Sequence, residues 1–212
     1  MPPQRRKFTR EEPESRRADL IAATLDLMAE AGPAETTVRA IAEAAGLSQG
    51  MIRHHFSSKE DLINAAYRAH MASQLEGSER AVAGTTARAR LARFVTASLT
   101  PPVVDPRALS LWAAFLHMVR RDPAMRATHE ENYLAYRDRL EALIAAAFAE
   151  TGRKAGKAEL RRLAIACNAV IDGLWLEGGA LPDAFGPGEI ETIGRASVAA
   201  LLDLPLADEE TP

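Results

Sequence analysis

The chain has 212 residues, a net charge of −3, 47% hydrophobic and 26% charged side chains, within the range of ordinary globular proteins. No apolar run reaches the ~20 residues of a membrane-spanning helix. The basic start is followed by no apolar core, so no secretory signal is expected. A single cysteine, Cys167, excludes an internal disulfide and fits a reducing, cytoplasmic setting. Ala and Leu dominate the apolar set and aromatics are only 5%, a balance that favours helix over sheet. Charge is spread unevenly: residues 1–60 carry nine basic and nine acidic side chains, so the acidic excess lies in the remainder.

Arg5, Arg6, Lys7 and Arg10 form a basic arm over residues 1–14, of the kind that tracks phosphates. Apolar spacing then predicts a helix from Ser15 to Ala31, stopped by Gly32-Pro33. A short helix capped by Thr37 runs to Gly46, and another runs from Ser48 to about His55. The next helix starts at a capping-box spacing, either Ser58 with Asp61 or Ser57 with Glu60, and weakens near Gly77 or Gly84.

Five longer helices are expected after it, over residues 87–100, 107–121, 125–151, 157–177 and 187–202, with an acidic, frayed end. The fold class is therefore all-α with about nine helices. It divides into the arm, a helix-turn-helix domain over residues 15–61 and a second helical domain over 62–212.

Two short helices joined at Gly46 make a helix-turn-helix. Ala42 is small where the helices cross, Gly46 accepts positive φ, and Ile41, Ala45, Leu47 and Ile52 supply the inner anchors. Ser48, Gln49, Gly50, Arg53 and His54 remain outward, able to reach base edges or phosphates in a major groove. Gly50, lacking a side chain, permits close approach. Thr37 and its helix N-terminus suit a phosphate, and Arg39 joins the candidate set. Lys59 stands in a first turn, where a cation opposes the helix dipole, and so points to an anionic partner. His55 donates to a phosphate in either protonation state or packs in a core.

"TTVRAIAEAAGLSQGMIRHHFSSKEDLINAAY" resembles the DNA-binding region of the TetR family of bacterial transcriptional regulators. The resemblance implies DNA contacts at Thr37, Ser48, Gln49, Arg53, His55 and Lys59, with Phe56 packed inside. One position departs: the family often has tyrosine where this chain has Arg53, and an arginine pairs bidentately with guanine or grips phosphate. The resemblance also implies a homodimer on a near-palindromic DNA operator, usually as a repressor released by a small molecule, with residues 62–212 as the ligand-sensing and dimerisation domain. Gly173, Gly178 and Gly179, interrupting an apolar helix, are read as sites of close approach by a partner helix. Ile190, Ile193, Val198 and Leu201 complete that expected interface.

"LWAAFLHMV" and "AVIDGLWLEGGAL" resemble the subgroup of choline-sensing repressors of glycine-betaine synthesis. A quaternary ammonium effector would need aromatic faces and a carboxylate, and Trp112, Phe115, Tyr133, Trp175 and Asp172 are the candidate set. Neither metal-ligand spacing nor a nucleophile or phosphate-loop motif is present, so no catalytic residue, metal or cofactor is expected. Two other classes stay open: a ligand-independent DNA-binding or adaptor protein, marked by sequence-indifferent binding, and a helical enzyme, marked by turnover.

Overall fold

The computed structural model describes residues 13–80 and 86–206. Arg5, Arg6, Lys7 and Arg10 of the basic arm lie outside them. The chain divides into two compact units, the first ending at Ala66 and the second beginning at Tyr67. Among the described residues there are ten α-helices and no strand. The helix beyond the expected nine comes from Gly32-Pro33.

The first unit holds α1 (Pro13–Glu30), α2 (Gly32–Glu35), α3 (Val38–Ala44), α4 (Gln49–His55) and the opening turns of α5 (Lys59–Arg80). Gly32, at φ +80°, breaks α1. Pro33 then falls in a first turn, where its fixed φ suits helix and no N–H is missed, so the pair restarts the helix as well as ending it. Thr37 caps α3 by accepting from the Ala40 N–H at 3.2 Å. Gly46 turns the chain at φ +64°, a conformation costly for any residue with a Cβ.

Of the two capping pairs open to α5, Ser58 with Asp61 is the one formed: Ser58 Oγ accepts from the Asp61 N–H at 3.0 Å. The Asp61 carboxylate reaches back to the Ser57 N–H at 3.0 Å. Leu20, Ile41, Ile52, Phe56 and Leu62 form the core. Burying each contributes ~1.5–3 kcal/mol relative to exposure. Arg17 stacks its guanidinium over the Phe56 ring at 5.0 Å.

The second unit continues α5 and adds α6 (Ala87–Ser98), α7 (Pro106–Val119), α8 (Pro123–Glu150), α9 (Lys157–Ala180) and α10 (Glu189–Leu202). Thr86, Asp105 and Asp122 cap α6, α7 and α8 through their side chains. Proline follows Asp105 and Asp122 directly, which is why α7 and α8 begin earlier than the apolar spacing indicates. α8 packs on α6 and α9, and α10 on α9 and α6. Phe94, Leu140, Ile144, Phe148, Ala164 and Val198 lie fully buried among them. Cys167 is buried on α9, and burial pushes its thiol up to about 11.

Several expectations for the C-terminal region change. A Cβ on Gly178 would stand 2.5 Å from Ile190 Cδ1 and 2.8 Å from Val104 Cγ1, and one on Gly179 would stand 3.1 Å from Leu109 Cβ. Both glycines therefore admit close neighbours within the same chain. Ile190 and Val198 are core, whereas Ile193 and Leu201 are exposed. The chain end is not frayed through Leu206: Leu202 and Leu204 are buried and Leu206 packs against the core. Finally, α9 is long and apolar enough, by length and composition, to cross a membrane, contrary to the reading of the apolar runs. In the fold it packs against α7, α8 and α10.

Candidate nucleic-acid interface and ligand cavity

In the helix-turn-helix, Ile52 turns inward, 2% exposed, and anchors α4. At 100° per residue its neighbours turn outward, and Gln49, Gly50, Arg53 and His54 are all exposed. Ser48, the α4 N-cap residue, is exposed too, and its hydroxyl makes no cap hydrogen bond. Thr37 and Arg39 are exposed on α3. The Thr37 oxygen accepts from Ala40, which leaves its hydroxyl hydrogen to donate outward. His55 and Lys59 are half-buried, and the His54 and His55 rings meet edge to face at 5.0 Å.

Gly50 has a specific geometry. A Cβ there would meet only Ser48 Oγ, at 3.6 Å, an ordinary contact. Nothing among the described residues requires this glycine, although it weakens the helix by ~0.5–1 kcal/mol relative to alanine. The surface is polar, carries Arg39, Arg53 and Lys59, and has a bare stretch of backbone at its centre.

In the second unit, two hollows of about 110 and 300 Å³ share the walls Trp112, Tyr133, Asp172 and Trp175. The indoles meet edge to face at 5.8 Å, and Trp175 is fixed by its Nε1–H donating to the Val103 carbonyl at 2.7 Å. Tyr133 donates its phenol hydrogen to Asp172 Oδ2 at 2.5 Å, and Asn168 Nδ2 donates to the same oxygen at 2.8 Å. Burial raises the Asp172 pKa, while those two donors pull it back. Burial and the neighbouring carboxylate push Tyr133 up to about 12. His129 stacks on Tyr133 at 5.4 Å and accepts or donates through Nδ1 to the Tyr67 hydroxyl at 2.6 Å. Burial lowers its pKa, against the pull of Asp172.

Four of the five residues selected from sequence thus meet at one cavity. Phe115 does not line it: the ring is fully buried, 4.5 Å from Tyr67 and 6.3 Å from His70 between ring centres. Asn168 and His129 were not among the residues chosen for the effector, although each stands four residues before a chosen partner on one helix face, Asp172 and Tyr133 respectively. A carboxylate held beside three aromatic rings suits an organic cation, each favourable ring face adding ~0.5–2 kcal/mol when desolvated.

Residues 20–66 match the family profile "Bacterial regulatory proteins, tetR family", and residues 87–203 match "BetI-type transcriptional repressor, C-terminal". The HTH-type transcriptional regulator BetI of Burkholderia mallei (strain NCTC 10229) is 34% identical over 168 residues, covering 78% of this chain and 82% of the relative. Among solved structures, a transcriptional regulator from Pseudomonas aeruginosa PAO1 superposes with a TM-score of 0.83 at 34% identity, over 95% of this chain and 97% of the other. A regulator from Saccharomonospora viridis in complex with choline shares the fold, with a TM-score of 0.68 at 22% identity over 91% and 97% of the two chains. The helix-turn-helix and the all-α second unit agree with these matches over residues 20–66 and 87–203. The chain belongs to the TetR family of bacterial transcriptional regulators, DNA-binding proteins rather than enzymes, and its C-terminal half is of the BetI repressor type.

Proposed function

We propose that this regulator is a cytoplasmic repressor that holds a near-palindromic operator as a homodimer and releases it when a small organic cation occupies the aromatic cavity. The carrying observation is the Asp172 carboxylate, hydrogen-bonded by Tyr133 and Asn168 and walled by Trp112 and Trp175. A quaternary ammonium group fits that chemistry, because it attracts ring faces and a carboxylate while requiring no hydrogen-bond acceptor. Choline in the Saccharomonospora regulator is consistent with this class.

On the DNA side, Arg53 reads a base edge, with Ser48, Gln49 and His54 beside it, and Gly50 lets the backbone approach. Thr37, Arg39, His55 and Lys59 hold phosphates and fix register. Dimerisation uses the exposed apolar residues of α9 and α10: Ile165 and Leu176, eleven residues apart and so on one helix face, with Ile193 and Leu201. α5 begins at Lys59 and its later turns supply His70, Met71 and Gln74 to the cavity wall. A cation that favours one placement of α5 therefore works against operator binding. A coupling of ~1–3 kcal/mol lowers operator affinity about five- to 150-fold.

The test selects operator sequences from random duplex DNA, then titrates the complex with choline or tetramethylammonium chloride against sodium chloride at equal ionic strength. Release by the quaternary ammonium salts alone supports the reading. Unchanged operator affinity at saturating ammonium, with binding confirmed by tryptophan fluorescence, removes the coupling. Absence of any binding removes the proposed effector class.

A further inference from the structure

The two hollows beside Asp172 differ in what their walls offer. The outer one, about 300 Å³, is completed by Leu116, His129, Gly173 and Leu176. Asp172, Gly173 and Leu176 are exposed, so this hollow stands at the surface. The inner one, about 110 Å³, is walled by Met71, Leu75 and Ser78 of α5, Ser98 of α6, Tyr136 of α8 and Ile171 of α9. Ser78, Ser98 and Ile171 are buried.

Every hydroxyl on the inner wall already has an acceptor for its hydrogen. Tyr136 donates to Ser98 Oγ at 2.7 Å, and Ser98 donates to the Phe94 carbonyl at 2.8 Å. Ser78 Oγ, 3.2 Å from Ser98 Oγ, donates to the Gln74 carbonyl at 3.3 Å. Tyr133 is taken up by Asp172, Asn132 Nδ2 by the Thr128 carbonyl at 2.7 Å, and the Trp175 indole by the Val103 carbonyl. His70 also lines this hollow; burial and the charge of Arg107 pull its pKa down to about 4, so it is uncharged at neutral pH. The inner wall therefore presents ring faces and the aliphatic groups of Met71, Leu75, Val103 and Ile171.

We propose that the two hollows form one bipartite site for an elongated organic cation. Its quaternary ammonium head sits at Asp172 in the outer hollow, and an unbranched hydrocarbon arm passes the Trp112 ring into the inner one. The inference rests on the cation reading of Asp172 and extends it to the shape and polarity of the effector. An ionised or hydrogen-bonding arm would give up water for a wall whose donors are engaged. A hydrocarbon arm gains by burial instead.

The full chain is titrated calorimetrically with the chlorides of tetramethylammonium, butyltrimethylammonium and hexyltrimethylammonium at matched ionic strength. Each buried methylene strengthens binding about four-fold, so the butyl salt is expected to bind at least ~ten-fold more tightly than the tetramethyl salt. Leu75→Phe narrows the inner hollow and is expected to bring that ratio down to about two-fold or less. Leu75→Ala widens it and should move the preference toward the hexyl salt, which keeps the inference testable if Leu75→Phe fails to fold. Tetramethylammonium binding without a gain for the butyl salt overturns the inference and leaves the cation reading in place. So does a gain that the folded Leu75 variants leave unchanged. No binding of any of the three salts removes that reading, and this inference with it.

Discussion

Tyr133 and Asp172, on different helices and 39 positions apart, share a hydrogen bond of 2.5 Å. It joins α8 to α9 at the cavity and leaves a partly exposed carboxylate with two donors already in place. The raised Asp172 pKa means that folding disfavours its charged form. That cost is present above the raised value and is relieved as pH falls toward the ordinary carboxylate range. Asp172→Asn keeps an acceptor for Tyr133 and removes the charge. It should leave the ligand-free protein as stable or more stable at neutral pH, while weakening tetramethylammonium binding about ten-fold, a difference of ~1.4 kcal/mol. Thermal unfolding and fluorescence titration measure the two effects.

Gly50 should show the same opposition of sign on the DNA side. Gly50→Ala meets no obstacle among the described residues and should raise stability by ~0.5–1 kcal/mol. If the backbone of α4 closely approaches DNA, operator affinity falls in the same variant. A stabilised protein that binds its operator as tightly as before would show that the glycine is not a contact point.

Arg53 and Lys59 are expected to differ in what they lose. Arg53→Ala should relax preference at one operator position, at ~1–3 kcal/mol for that base pair. Lys59→Ala should weaken all sequences alike and reduce the salt slope by about one. Affinities measured at several salt concentrations on matched and mismatched duplexes separate them.

Gly178 and Gly173 test the reinterpretation of the α9 glycines. Alanine at Gly178 must displace Ile190 and Val104 and should destabilise by ~1–3 kcal/mol. Alanine at Gly173 meets nothing within 4 Å and should stabilise by up to ~1 kcal/mol. Denaturant midpoints of the two variants, read at constant protein concentration, should move in opposite directions.

His70 gives a pH signature. Its folded pKa is about 4 against an ordinary 6.5, so the unfolded chain binds the proton more readily. The resulting stability is fully present above 6.5 and is lost as pH falls from there toward 4. His70→Gln should flatten that part of the stability profile relative to the parent. An unchanged slope between those values would place the histidine in water.

What could be read from the chain beforehand follows the range of the interactions. Local signals worked: Thr37 capping, the Gly46 turn and the inward Ile52 all depend on residues within one or two helical turns. The start of α7 and α8 was missed because periodicity marks apolar faces, whereas Asp105-Pro106 and Asp122-Pro123 mark the ends. Gly178 looked like an intermolecular contact because Ile190, its actual neighbour, lies twelve residues away beyond a break between helices. Trp112, Tyr133, Asp172 and Trp175 were chosen by residue type, and they line the same two hollows. Phe115 had the same chemistry but an inward place in its helix, which only packing reveals.

Cys167 is the chain's single thiol, buried on α9 and held protonated far above neutral pH. A maleimide or nitroxide reagent should therefore pass it by. One cysteine introduced at exposed Gln49 would then be the sole labelling point on each copy, without first removing the native residue. Paired spin labels would report the distance between two recognition helices directly, with and without the candidate organic cation.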